Sequence, residues 1–351
     1  MIKRRRAEIS NPTPMLVSRY PLRYDALPAE NGKGPPIARL LPAFCPGFEV
    51  IAMRILVTGS NGLIGHALLA DLSAKGHNVV TLTRSKAYAT GRHILWDPDA
   101  GSIDKDDLED FEAVIHLAGE SIVGRWTSEK KARILESRAK GTRLFCETLA
   151  QLRNRPRGLV SASAVGYYGD RGDQLLDEES SAGSLFLSEV AKAWEDATAP
   201  AASNGIRVVN LRIGFVLSQD GGGLATMLLP FKLGLGGRVG SGRQYLSWIA
   251  IDDLVGAISH AILTDSLRGP VNAVAPNPVT NQEFTKTLGS VLRRPTIFPL
   301  PAFAARLVMG EMADELLLAS ARITPKRLLA SGYKFQFPKL KEALRHVLGK
   351  N

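Results

Sequence analysis

Three glycines recur at three-residue intervals within one short segment, Thr58-Gly59-Ser60-Asn61-Gly62-Leu63-Ile64-Gly65. Between a strand and a helix, such glycines allow a tight turn, a close approach of the backbone to a pyrophosphate, and close helix–strand packing. The amide groups at the start of the helix and the positive end of its dipole would then face the phosphates. We therefore predict that the seven residues after Thr58 bind a dinucleotide. A glycine turn without a ligand is the less favoured alternative.

The choice between NAD and NADP depends on the end of the second predicted strand. Proteins that bind NAD usually carry an Asp or Glu there, about 20 residues further on, whose carboxylate binds the ribose hydroxyls. This chain has Thr83 followed by Arg84 instead. No carboxylate would repel a 2′-phosphate at this place, and a guanidinium can bind it. The sequence therefore favours NADP over NAD, with a solvated surface arginine as the alternative for Arg84.

A second group of predicted cofactor contacts follows the strand that contains His116. In a doubly wound sheet, ligands bind at the carboxyl ends of the strands. Leu117, Ala118 and Gly119 end this strand, so we expect them beside the adenine ribose or the diphosphate. His116 itself is interpreted as a packed strand residue and not as a base.

Alternating strands and helices must position these residues. We predict strands over residues 54–58, 79–83, 113–118, 158–162 and 208–213, and helices over residues 63–75, 128–152, 187–199 and 254–263. Such alternation indicates a parallel sheet with helices on both faces and right-handed crossovers. The predicted fold class is α/β, a Rossmann-type doubly wound parallel sheet with a small, mostly helical C-terminal region on the substrate side.

Three segments are expected along the chain. Residues 1–52 hold eight prolines and eight basic residues against four acidic ones, which is typical of a disordered or linker segment. We predict that they are a disordered or non-native extension and that the native protein begins at Met53. Residues 53–298 would form the nucleotide-binding domain, and residues 299–351 a C-terminal helical domain.

Composition argues against several classes of protein. The only two cysteines, Cys45 and Cys146, lie far apart, which favours a reducing, cytoplasmic compartment over a disulfide framework. No apolar run reaches the ~18 residues of a membrane span. The net charge of +10 is scattered and lacks a nucleic-acid-binding motif. We expect a small-molecule substrate, no nucleic-acid or membrane partner, no metal site, and a monomer or homodimer.

The Gly-x-x-Gly-x-x-Gly spacing resembles that of the extended short-chain dehydrogenases in the NAD-dependent epimerase/dehydratase superfamily. Further blocks over about residues 53–348 resemble the atypical members named only "epimerase family protein", which end in a small domain of unknown function. These blocks include Glu136-Ser137-Arg138, Trp194-Glu195, Leu211-Arg212-Ile213-Gly214 and Gly310-Glu311-Met312-Ala313-Asp314-Glu315. The resemblance implies a nicotinamide dinucleotide in a Rossmann fold. It leaves the substrate unassigned.

The resemblance also indicates where chemistry would take place. The stretch Ser161-Ala162-Ser163-Ala164-Val165-Gly166-Tyr167-Tyr168-Gly169 is similar to Ser-Ser-Ala-x-x-Tyr-Gly of the epimerases. The last serine of that motif helps to hold a substrate hydroxyl or carbonyl, which points to Ser163. Ser161 and, after a later strand, Gly214 are added as cofactor contacts.

The family then requires Tyr-x-x-x-Lys on the next helix, one helical turn apart so that both side chains share a face. The lysine holds the nicotinamide ribose and lowers the pKa of the tyrosine, which transfers the proton. Here Lys192 is present, but Ser188 replaces the tyrosine. A serine hydroxyl is far less acidic than a phenol. Ordinary chemistry through Ser188 is therefore not expected.

Tyr167 is the preferred substitute for the absent tyrosine, because Tyr168 matches a mostly structural residue of the family. Glu120 and Glu189 are weaker alternatives. The predicted site for chemistry is therefore Ser163, Lys192 and Tyr167. Two functions stay open: an NADP-dependent oxidoreductase or epimerase acting on a small polar, sugar-like substrate, and a non-catalytic protein that senses NADP.

Two C-terminal features complete the predictions. The glycine-rich residues 234–242, with Arg238 and Arg243, are interpreted as a flexible basic loop that covers an anionic substrate or is simply solvated. Asp252 and Asp253 precede the predicted helix over residues 254–263. We interpret them as helix caps.

Overall fold

The computed structural model describes residues 52–84, 93–98 and 100–350. Its strands are β1 (Arg54–Thr58), β2 (Asn78–Thr83), β3 (His93–Asp97), β4 (Ser102–Ile103), β5 (Ala113–His116), β6 (Gly158–Ala164), β7 (Leu175–Leu176), β8 (Arg207–Ile213), β9 (Phe215–Leu217), β10 (Tyr245–Leu246), β11 (Trp248–Ala250), β12 (Gly269–Ala273), β13 (Val279–Thr280) and β14 (Arg322–Ile323). Its α-helices are α1 (Leu63–Ala74), α2 (Ser128–Ala150), α3 (Phe186–Asp196), α4 (Ala199–Ser203), α5 (Gly222–Lys232), α6 (Ile251–Leu263), α7 (Asn281–Leu292), α8 (Ala302–Met309), α9 (Glu311–Ala313), α10 (Lys326–Ala330) and α11 (Leu340–Val347).

An eight-stranded sheet has the order β12-β8-β6-β5-β1-β2-β3-β4. All of its neighbouring strands are parallel except β3 and β4. After β1 the chain first builds one side of the sheet and then returns to place β5 on the other side. The crevice at the carboxyl ends of β1 and β5 is therefore the point where such folds bind ligands. The predicted fold class is confirmed.

Both faces of the sheet are apolar, as parallel strands require. Ile55 and Val57 of β1 face a core that includes Leu68 of α1 and several residues of α6. Leu56 faces the opposite core, which includes Phe145 of α2. Each such fully buried side chain contributes on the order of 1.5–3 kcal/mol. This alternation explains why β1 reads as a continuous hydrophobic run.

The elements after β8 form a smaller assembly beside the sheet. Its core joins Trp248 of β11, Phe284 of α7 and Leu344 of α11. Three two-stranded pairs, β10–β13, β11–β9 and β14–β7, connect this assembly internally and to the segment after β6. None of the helices described here combines the length and apolar character needed to cross a membrane.

Several predicted boundaries shift for local reasons. The strand expected to reach residue 118 ends at His116, because the side-chain oxygen of Thr58 accepts the amides of Leu117 and Ala118, 3.2 Å each. The helix predicted over residues 187–199 divides into α3 and α4, and the first turn of α4 contains a proline. The β3–β4 hairpin and the three small strand pairs were not predicted, since their strands are too short to show a hydrophobic period. Of the predicted extension, residues 1–51 lie outside the described part of the chain.

Candidate functional site

The three glycines of the loop between β1 and α1 differ in how closely other atoms surround them. Gly59 has φ +70°, and a Cβ there would lie 2.6 Å from the carbonyl carbon of Leu117. A Cβ on Gly65 would collide with the carbonyl oxygen of Gly59. A Cβ on Gly62 would meet only that same oxygen, at an ordinary 3.4 Å. The protein's own packing therefore requires two of the glycines, whereas Gly62 leaves its outer side open to an approaching group.

Helix α1 begins beside this open face. Its N-cap is Gly62, which provides no side-chain hydrogen bond, and its first turn contains no acidic residue. The positive end of the helix dipole is therefore not neutralised by a carboxylate of its own first turn. Ser60 is buried within the loop, and Asn61 is exposed. The loop as folded fits the predicted pyrophosphate contact.

Arg84 and Glu120 belong to a charged rim around the crevice. Arg84 is exposed directly after β2. Glu120 accepts a 2.6 Å hydrogen bond from Lys130, which holds the pKa of its carboxyl below the ordinary value, and Arg84 contributes to the same effect. Glu120 therefore stays ionised at neutral pH, and its predicted alternative role as a proton donor is not supported.

Arg138 is a cation at the crevice that was not predicted from the sequence. Its guanidinium lies 3.2 Å from where a Cβ of Gly119 would be, and it donates to the carbonyl oxygen of Glu120 at 2.9 Å. It also stacks over Trp194 at 4.8 Å. Burial lowers its pKa to about 10, so it remains charged at neutral pH. The only sequence signal for Arg138 is its place in the block Glu136-Ser137-Arg138, which resembles the family.

His116 is a neutral packed residue, in agreement with its interpretation from the sequence. Its ring nitrogens lie 2.8 Å from the Thr58 hydroxyl and 2.9 Å from the Thr142 hydroxyl. The ring stacks on Phe145 at 5.0 Å between centroids. Complete burial lowers its pKa to about 3. It therefore links β1, β5 and α2 and carries no charge near neutral pH.

Ser163 lies at the centre of a buried polar cluster at the ends of β6 and β8. Its hydroxyl donates to Glu195 Oε1 of α3 at 2.7 Å. Arg212 holds the same carboxylate through Nε and Nη2, 2.8 Å each. Burial alone would lower the pKa of Arg212, but the hydrogen bonds and charge of Glu195 raise it above its ordinary value. The Arg212 guanidinium is therefore charged, and the Ser163 oxygen keeps its lone pairs for another donor.

Two consecutive tyrosines extend this cluster. Tyr168 is fully buried, accepts from Arg212 Nη1 at 2.9 Å and donates to Asn272 Oδ1 at 2.7 Å. Burial raises its pKa to about 12. Tyr168 is therefore a fixed structural residue, as expected. The ring of Tyr167 is only partly buried and stacks on the Arg212 guanidinium at 3.5 Å from its centroid. It keeps its place as the candidate acid.

Ser188, in the place of the family tyrosine, is structural. It is buried, and its hydroxyl donates to the carbonyl oxygen of Gly166 at 2.9 Å. The hydroxyl also lies 3.1 Å from where a Cβ of Gly169 would be. The hydroxyl is therefore engaged in a hydrogen bond to the backbone.

The predicted role of Lys192 needs a correction in geometry. The side chain is largely exposed and pairs with Asp196 one turn later, 2.7 Å. That hydrogen bond raises its pKa, and the hydroxyl of Tyr167 contributes electrostatically. Lys192 therefore lies on the Tyr167 side of α3 but is not held against Ser163.

For two other predicted cofactor contacts, Ser161 and Gly214, packing within the protein explains the residue type without a cofactor. Ser161 is completely buried in the middle of the sheet, and its hydroxyl contacts the carbonyl oxygen of Ala162. It is not exposed to a ligand. A Cβ on Gly214 would lie 2.6 Å from the Ser247 carbonyl oxygen and 2.7 Å from Val274. Packing alone therefore accounts for this glycine.

The glycine-rich residues 234–242 are anchored, contrary to the predicted flexible loop. Val239 donates its amide to Asn281 Oδ1 at 2.8 Å, and Gln244 donates to the carbonyl oxygens of Val239 and Leu317. A Cβ on Gly237 would collide with the Phe298 carbonyl oxygen. The glycines thus serve close packing, while Arg238 and Arg243 remain exposed.

The prediction of Asp252 and Asp253 as caps also needs correction. Helix α6 begins at Ile251, so both acids lie in its first turn without capping it. Asp253 is fully buried and accepts the amides of Gln336 and Phe337, 2.7 and 3.0 Å. It fixes the C-terminal tail to α6. Among the described residues, no group of three or more His, Cys, Asp or Glu side chains is arranged to hold a metal ion.

Comparison with known proteins provides independent evidence. Residues 55–273 match the NAD dependent epimerase/dehydratase family, and residues 300–347 match a domain of unknown function. An epimerase family protein of Mycobacterium bovis is 43% identical over 84% of this chain and 97% of its own length. A chloroplastic homolog from Arabidopsis thaliana is 38% identical over 89% of this chain and 92% of its own. The crystal structure of human epimerase family protein SDR39U1 with NADPH superposes with a TM-score of 0.78 and 35% identity, over 85% of this chain and 100% of that one.

Proposed function

Because this chain belongs to the NAD-dependent epimerase/dehydratase family, we propose that it binds NADP(H) in preference to NAD(H). We further propose that it is an oxidoreductase or epimerase acting on a small polar, sugar-like substrate. The observation that carries this proposal is the open face of Gly62 at the start of α1, beside a charged rim that includes Arg84. Residues 53–298 would bind the cofactor, and residues 299–351 would lie on the substrate side.

The residues at the crevice fit an anionic dinucleotide. The start of α1 offers backbone amides to a pyrophosphate, and Arg138 adds a positive charge beside Gly119. Arg84 is placed after β2, where a 2′-phosphate would reach it. The solved structure of the human relative with NADPH supports the phosphorylated cofactor. When bound, this cofactor would supply the hydride acceptor or donor.

The chain's own residues would then handle the substrate hydroxyl. Because the Ser163 hydroxyl donates its hydrogen bond to Glu195, its oxygen would accept a hydrogen bond from the substrate. The hydroxyl of Tyr167 would exchange the proton that accompanies hydride movement. Lys192, after turning from Asp196, would bind the nicotinamide ribose. Arg212 pairs with Glu195 and stacks on Tyr167, so it would keep both groups in place.

A second function is favoured by one specific observation. Ser188 donates a hydrogen bond to the carbonyl oxygen of Gly166 at the position where the family needs a tyrosine. This observation is consistent with a protein that binds the cofactor without turnover. In this alternative the chain senses NADP and changes its affinity for a partner. The two proposals share the cofactor site and differ in whether a proton donor reaches the reacting carbon.

Calorimetric titration of the full chain with NADPH and NADH tests the shared part. We expect much tighter binding of NADPH, with the preference lost in Arg84→Ala. Arg143→Ala, which removes an exposed arginine on α2, should leave both affinities unchanged and serves as the matched control. Equal binding of the two cofactors, or binding of neither, would overturn the cofactor proposal.

Hydride transfer separates the enzyme from the sensor. Oxidation of NADPH would be followed by its absorbance against a panel of sugar-like carbonyl compounds. Turnover that Ser163→Ala abolishes, while NADPH affinity stays unchanged, would support the enzyme. Because an epimerase returns the hydride to its substrate and leaves no net oxidation of NADPH, the sugars would also be analysed for inversion at the reacting carbon. Tight NADPH binding with neither NADPH oxidation nor an epimerised product would favour the sensor.

A further inference from the structure

Helix α3 begins without a cap of its own. Its N-cap is Leu185, whose side chain has no hydrogen-bond acceptor. The first amides of a helix have no partner within the helix and need one from elsewhere. This helix carries Lys192 and Glu195, so the placement of its first turn affects the cluster at Ser163.

Glu315 supplies the missing partner from far along the chain. Its Oε1 accepts the amide of Phe186 at 2.9 Å, and its Oε2 accepts the amide of Leu187 at 2.8 Å. The two residues are separated from Glu315 by 129 and 128 positions. A carboxylate at this end also complements the helix dipole. One side chain thus satisfies two orphan amides and the dipole together.

A neighbouring contact holds the same part of the C-terminal segment against α2. Glu311 forms a 2.7 Å ion pair with Lys131. The Lys131 ammonium lies 4.4 Å from the ring centroid of Phe186, the first residue of α3. Phe186 in turn packs edge-on against Trp126 at 5.3 Å. The starts of α2 and α3 are therefore joined through Glu311, Lys131 and Phe186.

The segment that carries the two glutamates is itself fixed. Met312 and Ala313, between them, are buried. Gln244 donates to the carbonyl oxygen of Leu317 at 2.9 Å, just beyond Glu315. Burial raises the pKa of the Glu315 carboxyl, so its placement has a desolvation cost that the two amide bonds must offset. A surface glutamate in accidental contact would carry no such cost.

We propose that Glu315 is a positioning residue through which the C-terminal domain of unknown function orders the first turn of α3. The domain thereby sets the helix that carries Lys192 and places Glu195 at the ends of β6 and β8. The capping itself is independent of what the protein binds. Its effect on the cofactor rests on the proposed function.

Hydrogen exchange of the full chain, measured by mass spectrometry, tests the cap. Glu315→Ala should accelerate exchange of the amides of Phe186 and Leu187 by roughly 2- to 30-fold, the range that corresponds to loss of a helix N-cap. Glu315→Gln keeps one strong acceptor oxygen and the side-chain shape, so it should give a smaller increase. It also keeps the test valid if the alanine variant does not fold.

Asp314→Asn is the matched control, because its carboxylate lies in the same segment but pairs with Arg306 and does not contact these amides. It should leave exchange at Phe186 and Leu187 close to wild type. No acceleration in Glu315→Ala, or equal acceleration throughout the chain, would overturn the cap.

NADPH titration of the same variants tests the link to the site. We expect weaker binding in Glu315→Ala and partial rescue in Glu315→Gln, whereas unchanged affinity in the alanine variant would overturn the link. Should the wild-type chain not bind NADPH, the proposed function fails, while the exchange result still decides whether Glu315 caps α3.

Discussion

The glycine loop and the cluster around Ser163 lie at the same edge of the sheet but are built in opposite ways. The loop is one continuous segment between β1 and α1, and its groups for a ligand are backbone amides. The cluster joins β6, α3, β8 and β12 through the side chains of Ser163, Glu195, Arg212, Tyr168 and Asn272. Its polar groups are buried side chains, and two of them, Glu195 and Arg212, form an ion pair.

This contrast predicts different sensitivities. Backbone amides at a helix start cost little to place, so the open side of the loop at Gly62 should tolerate change until a ligand must bind. A buried ion pair is costly to desolvate, and removal of one partner leaves the other charge without compensation. Changes in the cluster should therefore affect folding first, and changes at the open side of the loop should affect binding first.

The largest expected effect is in the cluster. Arg212→Met leaves the buried Glu195 side chain without its partner, so we expect the free energy of unfolding to fall by about 3–5 kcal/mol. Urea denaturation would measure this. Lys140→Met breaks the exposed pair with Glu136 and should cost less than about 1 kcal/mol. Similar small losses in both variants would contradict the contrast.

The next effect concerns His116, which lies between the two regions. Its folded pKa, about 3, is below the ordinary value of the unfolded chain, so the folded state binds fewer protons. Stability is fully present above about pH 6.5 and is lost as the pH falls toward 3, by about 1.4 kcal/mol per pH unit. Denaturation at a series of pH values should show this slope reduced in His116→Gln and unchanged in His66→Gln, an exposed control. An equal slope in all three proteins would show that His116 is not the proton acceptor.

The loop itself supplies a test within one motif. Gly65→Ala should destabilise the fold by about 1–3 kcal/mol, because its Cβ has no room. Gly62→Ala should leave the melting temperature nearly unchanged while weakening NADPH binding by at least about tenfold, or about 1.4 kcal/mol. Unaltered NADPH affinity in Gly62→Ala would indicate that the open face is not where the cofactor binds.

The smallest expected effect is at Ser188. Ser188→Ala removes the hydrogen bond to Gly166 and should cost about 1 kcal/mol, without altering NADPH affinity or turnover. Thermal melting and a hydride-transfer assay would measure both. A loss of turnover larger than the loss of folded protein would return Ser188 to the chemistry.

The sequence predicted the parts of the fold that depend on local pattern. The strand–helix alternation gave the doubly wound sheet, and the residues of β1, β2 and α1 were placed to within one or two positions. Short elements such as β4 and β14 were missed, since two residues show no hydrophobic period. The boundary at His116 was also missed, because it depends on the Thr58 hydroxyl 58 positions earlier.

For the predicted site residues, the sequence shows the type of each side chain but not the environment in which it lies. Ser161 and Ser163 have the same side chain two positions apart, yet the first is enclosed in the sheet and the second is held by Glu195. Gly62 and Gly214 are both glycines at strand ends, yet only Gly62 has an open side. Which polar atoms face a crevice depends on neighbours from other segments, and those are absent from a local pattern.

Three features could be identified from the sequence alone: the α/β class, the glycine loop and the absence of a tyrosine four residues before Lys192. Each is a property of contiguous residues. The contacts of Ser163 with Glu195, of Glu195 with Arg212 and of Ser188 with Gly166 are seen only in the folded chain. The same is true of the hydrogen bond from Phe186 to Glu315, which spans 129 residues. The physical reason is that these interactions are hydrogen bonds and ion pairs between segments distant in sequence, and only the folded chain fixes their distances and burial.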